Sequence, residues 1–226
     1  MSRAPRVTEF ADALLRRVGF LENPYFDSLS AGSMSLEKFR ATQEQFYFAV
    51  RFYARPIAAL VSRISDPAQR LDLLHNIVEE HGNFREEQFH QNTFRKFLAS
   101  IQGRGPDLAG VSMCAAVHAF NSTLIGACTS DDIEVGVCCL GIVERAFSDV
   151  SALIGHVVVQ RRWVAAENLV HYALHVELDV RHAEDFFAIV EPGWDDLPTR
   201  AKIQRGLELG AYAFDQLYRA LLLQVE

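Results

Sequence analysis

The sequence predicts an all-α fold of about seven helices. Apolar residues recur at three- and four-residue spacing along most of the 226 residues, and sustained two-residue alternation is absent. Asn-Gly hairpins, phosphate-binding glycine loops and low-complexity tracts are absent as well. Half of the residues are hydrophobic, enough for one sizeable core, so residues 1–226 read as a single domain.

Val7 to Val18 is the first amphipathic segment, and the turn at Asn23-Pro24 leads into a short segment through Leu29 that ends at Gly32. Ser35 opens a long helix with Glu37 and Lys38 in its first turns. Its core face is Phe39, Phe46, Val50, Tyr53, Ile57, Leu60 and Ile64, with a kink expected at Pro56. Asp66-Pro67, an N-cap followed by proline, starts a third helix to about Ser100, with Gly82 loosening its middle. Gln102-Gly-Arg-Gly-Pro106 is the clearest break, a loop between helices of one composition. Asp107 to Cys128 follows, and then Asp131 or Asp132 caps a helix to about Val159. The next helix runs from Arg161 or Arg162 to Val190, and Glu191 to Asp196 separates it from a last helix ending near Val225.

The net charge of -7 and the pI near 5.6 argue against a nucleic-acid or anionic-membrane surface. Cys114, Cys128, Cys138 and Cys139 lie in apolar helical context with no CxxC, so they read as reduced core thiols and favour the cytoplasm. The N-terminus is charged and amphipathic rather than secretory, and no uncharged run reaches the length of a membrane span. The expectation is a soluble cytoplasmic protein with no nucleic-acid or membrane partner; a homodimer stays open.

The chemistry concentrates between His171 and Phe187. At about 100° per residue, His175, Asp179 and His182 fall within roughly a 60° arc of one helix face. Val164, Leu178, Phe186 and Ile189 share that stripe, so two imidazoles and a carboxylate are expected inside apolar surface, where a metal is a usual remedy for buried charge. His171 extends the row as a second-layer hydrogen-bonding group. On the third helix, Leu73, Asn76, Ile77, Glu80, Asn83, Phe84, Glu87, His90, Phe94 and Phe97 form one stripe. Glu87 stands three residues before His90, the Glu-x-x-His device of two-metal bundles, and Glu80 is the other candidate. Glu144 points inward, since its helical neighbours are Val137, Leu140, Gly141, Phe147, Ser148 and Ser151. Glu44, the extra carboxylate a ferritin-like centre would need, belongs to a charged outer stripe with Glu37, Arg40 and Arg51.

The order Asn76-Ile-Val-Glu79-Glu80-His81-Gly82, Glu87-x-x-His90, Glu144 and His175-x3-Asp179-x2-His182 resembles the haem-oxygenase-like di-iron oxidases. Asn23-Pro-Tyr-Phe, Gly32 and the helix around Gln43 are similar to that family's N-terminal half. The resemblance implies a seven-helix haem-oxygenase-like bundle that binds iron by side chains rather than haem. It implies two irons, the second often weakly held, with O₂ as co-substrate and a small organic substrate such as a fatty acid or an amino acid. Its ligands by motif position would be His90, Glu144, His175, Asp179 and His182, with Glu80 or Glu87 as the first carboxylate. Phe84, Phe94, Phe147 and Phe186 are the expected lining of a dry pocket. Members of this family include one that builds p-aminobenzoate from its own tyrosine, a route for which Tyr25, Tyr47 and Tyr53 offer no clear candidate. The rival readings are a metal-free member of the same fold, either a thiamin-fragment hydrolase using a cysteine such as Cys138 or Cys139 or a cofactorless oxidase, and a ferritin-like di-iron protein.

Overall fold

Local signals start and stop the helices of the computed structural model, which describes residues 5–102, 108 and 110–224. The first helix, α1 (Arg6–Val18), begins where the Glu191 carboxylate accepts from the backbone N–H groups of Arg6 at 3.1 Å and Val7 at 2.9 Å. That contact ties the first turn to the far end of the chain. In α2 (Pro24–Ser30), Asn23 is the N-cap and accepts from the Tyr25 N–H at 3.0 Å, while its amide donates to Asp215 Oδ1 at 2.7 Å. Ser35 caps α3 (Leu36–Val50) by accepting from the Lys38 N–H.

The helix expected from Ser35 to Ile64 is two helices, α3 and α4 (Ala54–Arg63), joined by a turn over 51–53. Pro56 has no N–H, and its ring excludes the carbonyl four residues back, that of Phe52. The backbone answers one turn early with i→i−3 bonds, Phe52 N–H to Ala49 O and Arg55 N–H to Phe52 O, both 3.0 Å. The expected third helix also breaks. Asp66 caps a 3₁₀ turn at Ala68–Arg70 that leads into α5 (Leu71–Glu80), and α6 (His90–Gln102) starts only after two further 3₁₀ turns. Gly82, Asn83 and Phe84 all adopt positive φ, which no right-handed helix tolerates.

The loop expected at 103–106 lies outside the described residues. Then follow α7 (Ala115–Thr129), α8 (Ile133–Gln160), α9 (Val170–Val190) and α10 (Leu197–Gln224). Asp132 holds the N-cap position of α8, but its side chain pairs with Lys202 and Arg205 instead of the helix end. The penultimate helix starts at Val170 rather than Arg161, because 161–169 forms turns with Arg162 at a φ of 57°. Two expected helices are thus split and α2 stands as a helix of its own, which turns about seven into ten α-helical segments among the described residues.

One continuous core runs through these helices, and α8 is its axis, packed most extensively against α9 and α10. The α8 and α10 backbones touch where glycine leaves room: a Cβ on Gly210 would lie 2.4 Å from the Cys139 carbonyl oxygen. Gly210→Ala should therefore cost about 1–3 kcal/mol. Thermal unfolding followed by circular dichroism should show a midpoint lower by about 2–4 °C for each kcal/mol, and an unchanged midpoint would contradict the close approach. Among the described residues no helix is long and apolar enough to cross a membrane.

Candidate metal centre

The centre is assembled by α5, α6, α8 and α9. On α9 the buried face reads His171, Tyr172, His175, Asp179, His182, Ala183, Phe186, Phe187 and Val190, while Leu178 and Ile189 lie at its half-buried margin. Val164 is buried in the preceding turn, outside the helix. Ligand-type atoms of Glu144, Asp179 and His182 all lie within 4.8 Å of one another. Beside them, Glu80 Oε1 and His90 Nδ1 are 2.8 Å apart, and the His90 and His175 rings are 4.5 Å apart. His175 Nδ1 and Asp179 Oδ1, 2.7 Å apart, join the two groups.

Three carboxylates, those of Glu80, Glu144 and Asp179, are buried in this space. Burial pushes Asp179 well above the ordinary carboxylate range, and neighbouring Glu144 pushes it further. Burial also raises Glu80, but the charge of His90 and its hydrogen bond outweigh that and hold Glu80 below its usual value. Burial and the nearby His90 depress His175 to about 3, so it is neutral at pH 7. For His182 burial opposes the charged form, yet Glu144 and Glu79 override it and lift the pKa to about 10.

The polar atoms left over test whether a cation fits. Glu144 Oε1, His175 Nε2, Asp179 Oδ2 and His182 Nδ1 are buried and have no hydrogen-bond partner among the described residues. Native interiors leave few such atoms, and three of these four residues, Glu144, Asp179 and His182, converge closely enough for one cation to satisfy them. Imidazole nitrogen and carboxylate oxygen together suit iron. The residues therefore fit a metal held by side chains.

A cavity adjoins the centre, and Glu80, His90, Glu144 and His175 reach its wall. Apolar side chains supply most of the rest, among them Phe46, Phe120, Phe147 and Phe214. Tyr53 lines it too, its hydroxyl donating to the Leu140 carbonyl at 3.2 Å.

The structure brings Glu80, His90, Glu144, His175, Asp179 and His182 together and leaves out Glu87. That residue is exposed on the 3₁₀ turn Glu86–Gln88, because the break at Gly82 ends the continuous stripe on which its inward direction depended. Phe84, expected in the pocket, is 81 % exposed for the same reason. Phe147 does line the cavity, whereas Phe94 packs behind it against His171 at 4.8 Å and Phe186 is buried under Gly141. Glu44 is half-buried on α3 and is not among the gathered groups. Sequence reasoning missed Glu79: its carboxylate takes His182 Nε2 at 2.8 Å and Arg181 at 2.6 and 2.7 Å. The adjacent acids Glu79 and Glu80 were the available signal, but a straight helix turns only one of them inward.

Replacing Glu87 by alanine should leave iron affinity unchanged within about twofold, as for an ordinary surface substitution. Glu80→Ala should weaken it by at least about tenfold, since even residues that only support metal ligands have effects of that size. Iron titration of the two variants compares these outcomes, and the opposite order would return Glu87 to the centre.

The family model described as iron-containing redox enzyme matches residues 40–214. The 4-aminobenzoate synthase of Chlamydia muridarum is 24% identical over 181 residues, which span 80% of this chain and 75% of that protein. The 4-chloro-allylglycine synthase of Streptantibioticus cattleyicolor is 20% identical over 207 residues, spanning 90% and 79%. A solved domain of unknown function from Shewanella denitrificans with a heme oxygenase-like fold superposes with a TM-score of 0.75 at 13% identity, covering 97% of this chain and 90% of that one. That likeness shows the same fold here.

Proposed function

The chain belongs to the iron-containing redox enzymes, and on that premise we propose that it is an O₂-activating non-haem di-iron oxidase or oxygenase acting on a small organic molecule. The observation that carries this reading is the set of buried, unpartnered nitrogen and oxygen atoms on Glu144, His175, Asp179 and His182. Glu80 and His90 complete six groups, enough to share between two irons. When bound, iron would supply the one-electron redox steps that O₂ chemistry needs, and carboxylates suit both its oxidation states.

The chain's own residues prepare that site. His175 Nδ1 pairs with Asp179 Oδ1, and with Asp179 ionised it donates Nδ1–H there and leaves Nε2 for a cation. In His182 the nitrogens swap roles: Glu79 takes Nε2–H and fixes the ring so that Nδ1 faces Glu144 at 3.8 Å, and a bound cation would displace the Nδ1 proton. Arg181 in turn holds Glu79. The phenylalanine walls make the lining apolar, which disfavours water and restrains side reactions at a reactive centre. The cavity lining, mostly phenylalanine and other apolar side chains, suits the apolar part of a small organic molecule. The matched relatives are synthases of small molecules too, 4-aminobenzoate and 4-chloro-allylglycine.

A metal-free hydrolase of the same fold would need a reactive thiol at the cavity. Cys138 and Cys139 do not line it; burial drives the Cys138 thiol well above its usual range and the Cys139 thiol to about 12. A ferritin-like centre would need Glu44, which stands apart.

Anaerobic loading with Fe(II) followed by metal analysis tests the proposal. About one to two irons per chain are expected, as for a bundle site with this ligand supply. Fe(II)-dependent O₂ consumption should then respond to members of an amino-acid and fatty-acid screen. A folded protein that binds no iron, or binds it without consuming O₂ under any condition, would overturn the proposal.

A further inference from the structure

His171 sits one turn before His175 on α9, is 1 % exposed and lines the cavity. It differs from the other histidines of the site. His90 faces Glu80, His175 faces Asp179, and His182 faces Glu79 and Glu144. The hydrogen-bonding neighbour of His171 is a hydroxyl instead: Nδ1 lies 3.0 Å from Thr93 Oγ1. Its nearest ring is that of His175 at 4.3 Å, followed by Phe94 at 4.8 Å and Tyr172 at 5.5 Å.

The Thr93 hydroxyl decides the tautomer. It carries one hydrogen and donates it to the His90 carbonyl at 2.9 Å, so toward His171 it can only accept. Nδ1 therefore holds the ring proton, and Nε2 is a bare lone pair. That nitrogen is buried and has no partner among the described residues. The ring's hydrogen-bonding partner is a hydroxyl rather than a carboxylate, and the bare lone pair is a ready acceptor for a neutral donor.

We propose that His171 Nε2 accepts a hydrogen bond from the substrate, which is accordingly a small, largely apolar molecule bearing an uncharged hydroxyl or amine N–H. The inference rests on the cavity being the substrate site of the function proposed above. Phe46, Phe147 and Phe214 hold the apolar body while His171 selects for the donor. A buried acceptor discriminates sharply, because a ligand without the donor leaves it desolvated and unpaired.

Phenol, aniline and toluene are the probes, since they are near-isosteres that differ in the donor. Calorimetric titration of metal-free and Fe(II)-loaded protein should show phenol and aniline binding about tenfold more tightly than toluene. In His171→Phe, which keeps a ring and removes the acceptor, the ratio should fall to about one, with toluene affinity and iron content unchanged. Thr93→Val removes the group that fixes the tautomer. It should lower the preference, and the ¹⁵N signal of His171 Nε2 should move from that of a bare nitrogen toward a protonated one. These last readouts serve even if His171→Phe does not fold.

Equal binding of phenol and toluene by the wild type, a preference that survives in His171→Phe, or a protonated Nε2 in the wild type would each overturn the assignment. So would loss of iron from folded His171→Phe, which would make His171 a ligand. A protein that takes no iron yet keeps the donor preference in its metal-free form would refute the di-iron reading and uphold this hydrogen bond. One that binds iron and consumes O₂ without that preference would refute only the hydrogen bond.

Discussion

Alanine at His175 or at Glu144 should empty the centre while leaving the helices in place. Each residue contributes a buried atom with no partner among the described residues, His175 Nε2 or Glu144 Oε1, so its removal would delete a ligand of the proposed centre without breaking a hydrogen bond to that atom. Groups that merely orient metal ligands change affinity by about 10–100-fold when lost, so a lost ligand should exceed about 100-fold and bring Fe(II)-dependent O₂ consumption to background. The two variants should differ in stability without metal. Glu144→Ala relieves the crowding of three buried carboxylates, so its metal-free form should unfold at a temperature equal to or above that of the wild type. His175→Ala takes away the partner of Asp179 and should lower that temperature. Iron analysis, O₂-electrode traces and melting curves of the same preparations read all three effects. Retained iron and activity in either variant would count heavily against the centre described here.

The second large effect is expected at a position that touches no ligand. Gly82 has a φ of 58°, and a Cβ there would lie 2.5 Å from the Gln88 carbonyl carbon and 2.8 Å from its oxygen. Gly82→Ala therefore combines a left-handed backbone at a residue with a side chain, about 1–2 kcal/mol, with a clash that only a backbone shift can relieve. A total loss of at least about 2 kcal/mol is expected in chemical denaturation. The shift falls between Glu80 and His90, whose side chains meet at 2.8 Å across the break, so iron affinity should fall by at least about tenfold. Asn83→Gly, at a neighbouring residue with a φ of 53°, removes strain and should leave both quantities unchanged or slightly improved. Wild-type iron affinity in a folded Gly82→Ala protein would show that the break does not position the pair.

The site was readable in the sequence to the extent that it lies on unbroken helices. His175, Asp179 and His182 share one face at any plausible register, and Glu144 is ringed by apolar neighbours on a helix of 28 residues. Helical periodicity carries such residues inward without knowledge of what they meet. The same periodicity failed between Glu80 and His90, where it continued a helix that the chain ends. It turned Glu87 and Phe84 inward, although both are exposed. It also gave no reason to single out Glu79, whose role depends on His182 and Arg181 arriving from another helix.

By itself the sequence determined the helical class, the single buried face of α9 and the chemical kind of its donors, because each follows from spacing and composition within one element. Only the tertiary structure decided that Glu80 rather than Glu87 meets His90 and that Glu79 braces His182. It alone shows His171 beside a hydroxyl, and not a carboxylate. Those outcomes depend on a break of positive-φ residues and on atoms brought within 3 Å from segments about 10 to 100 residues apart, distances to which the 3.6-residue repeat of a helix is blind.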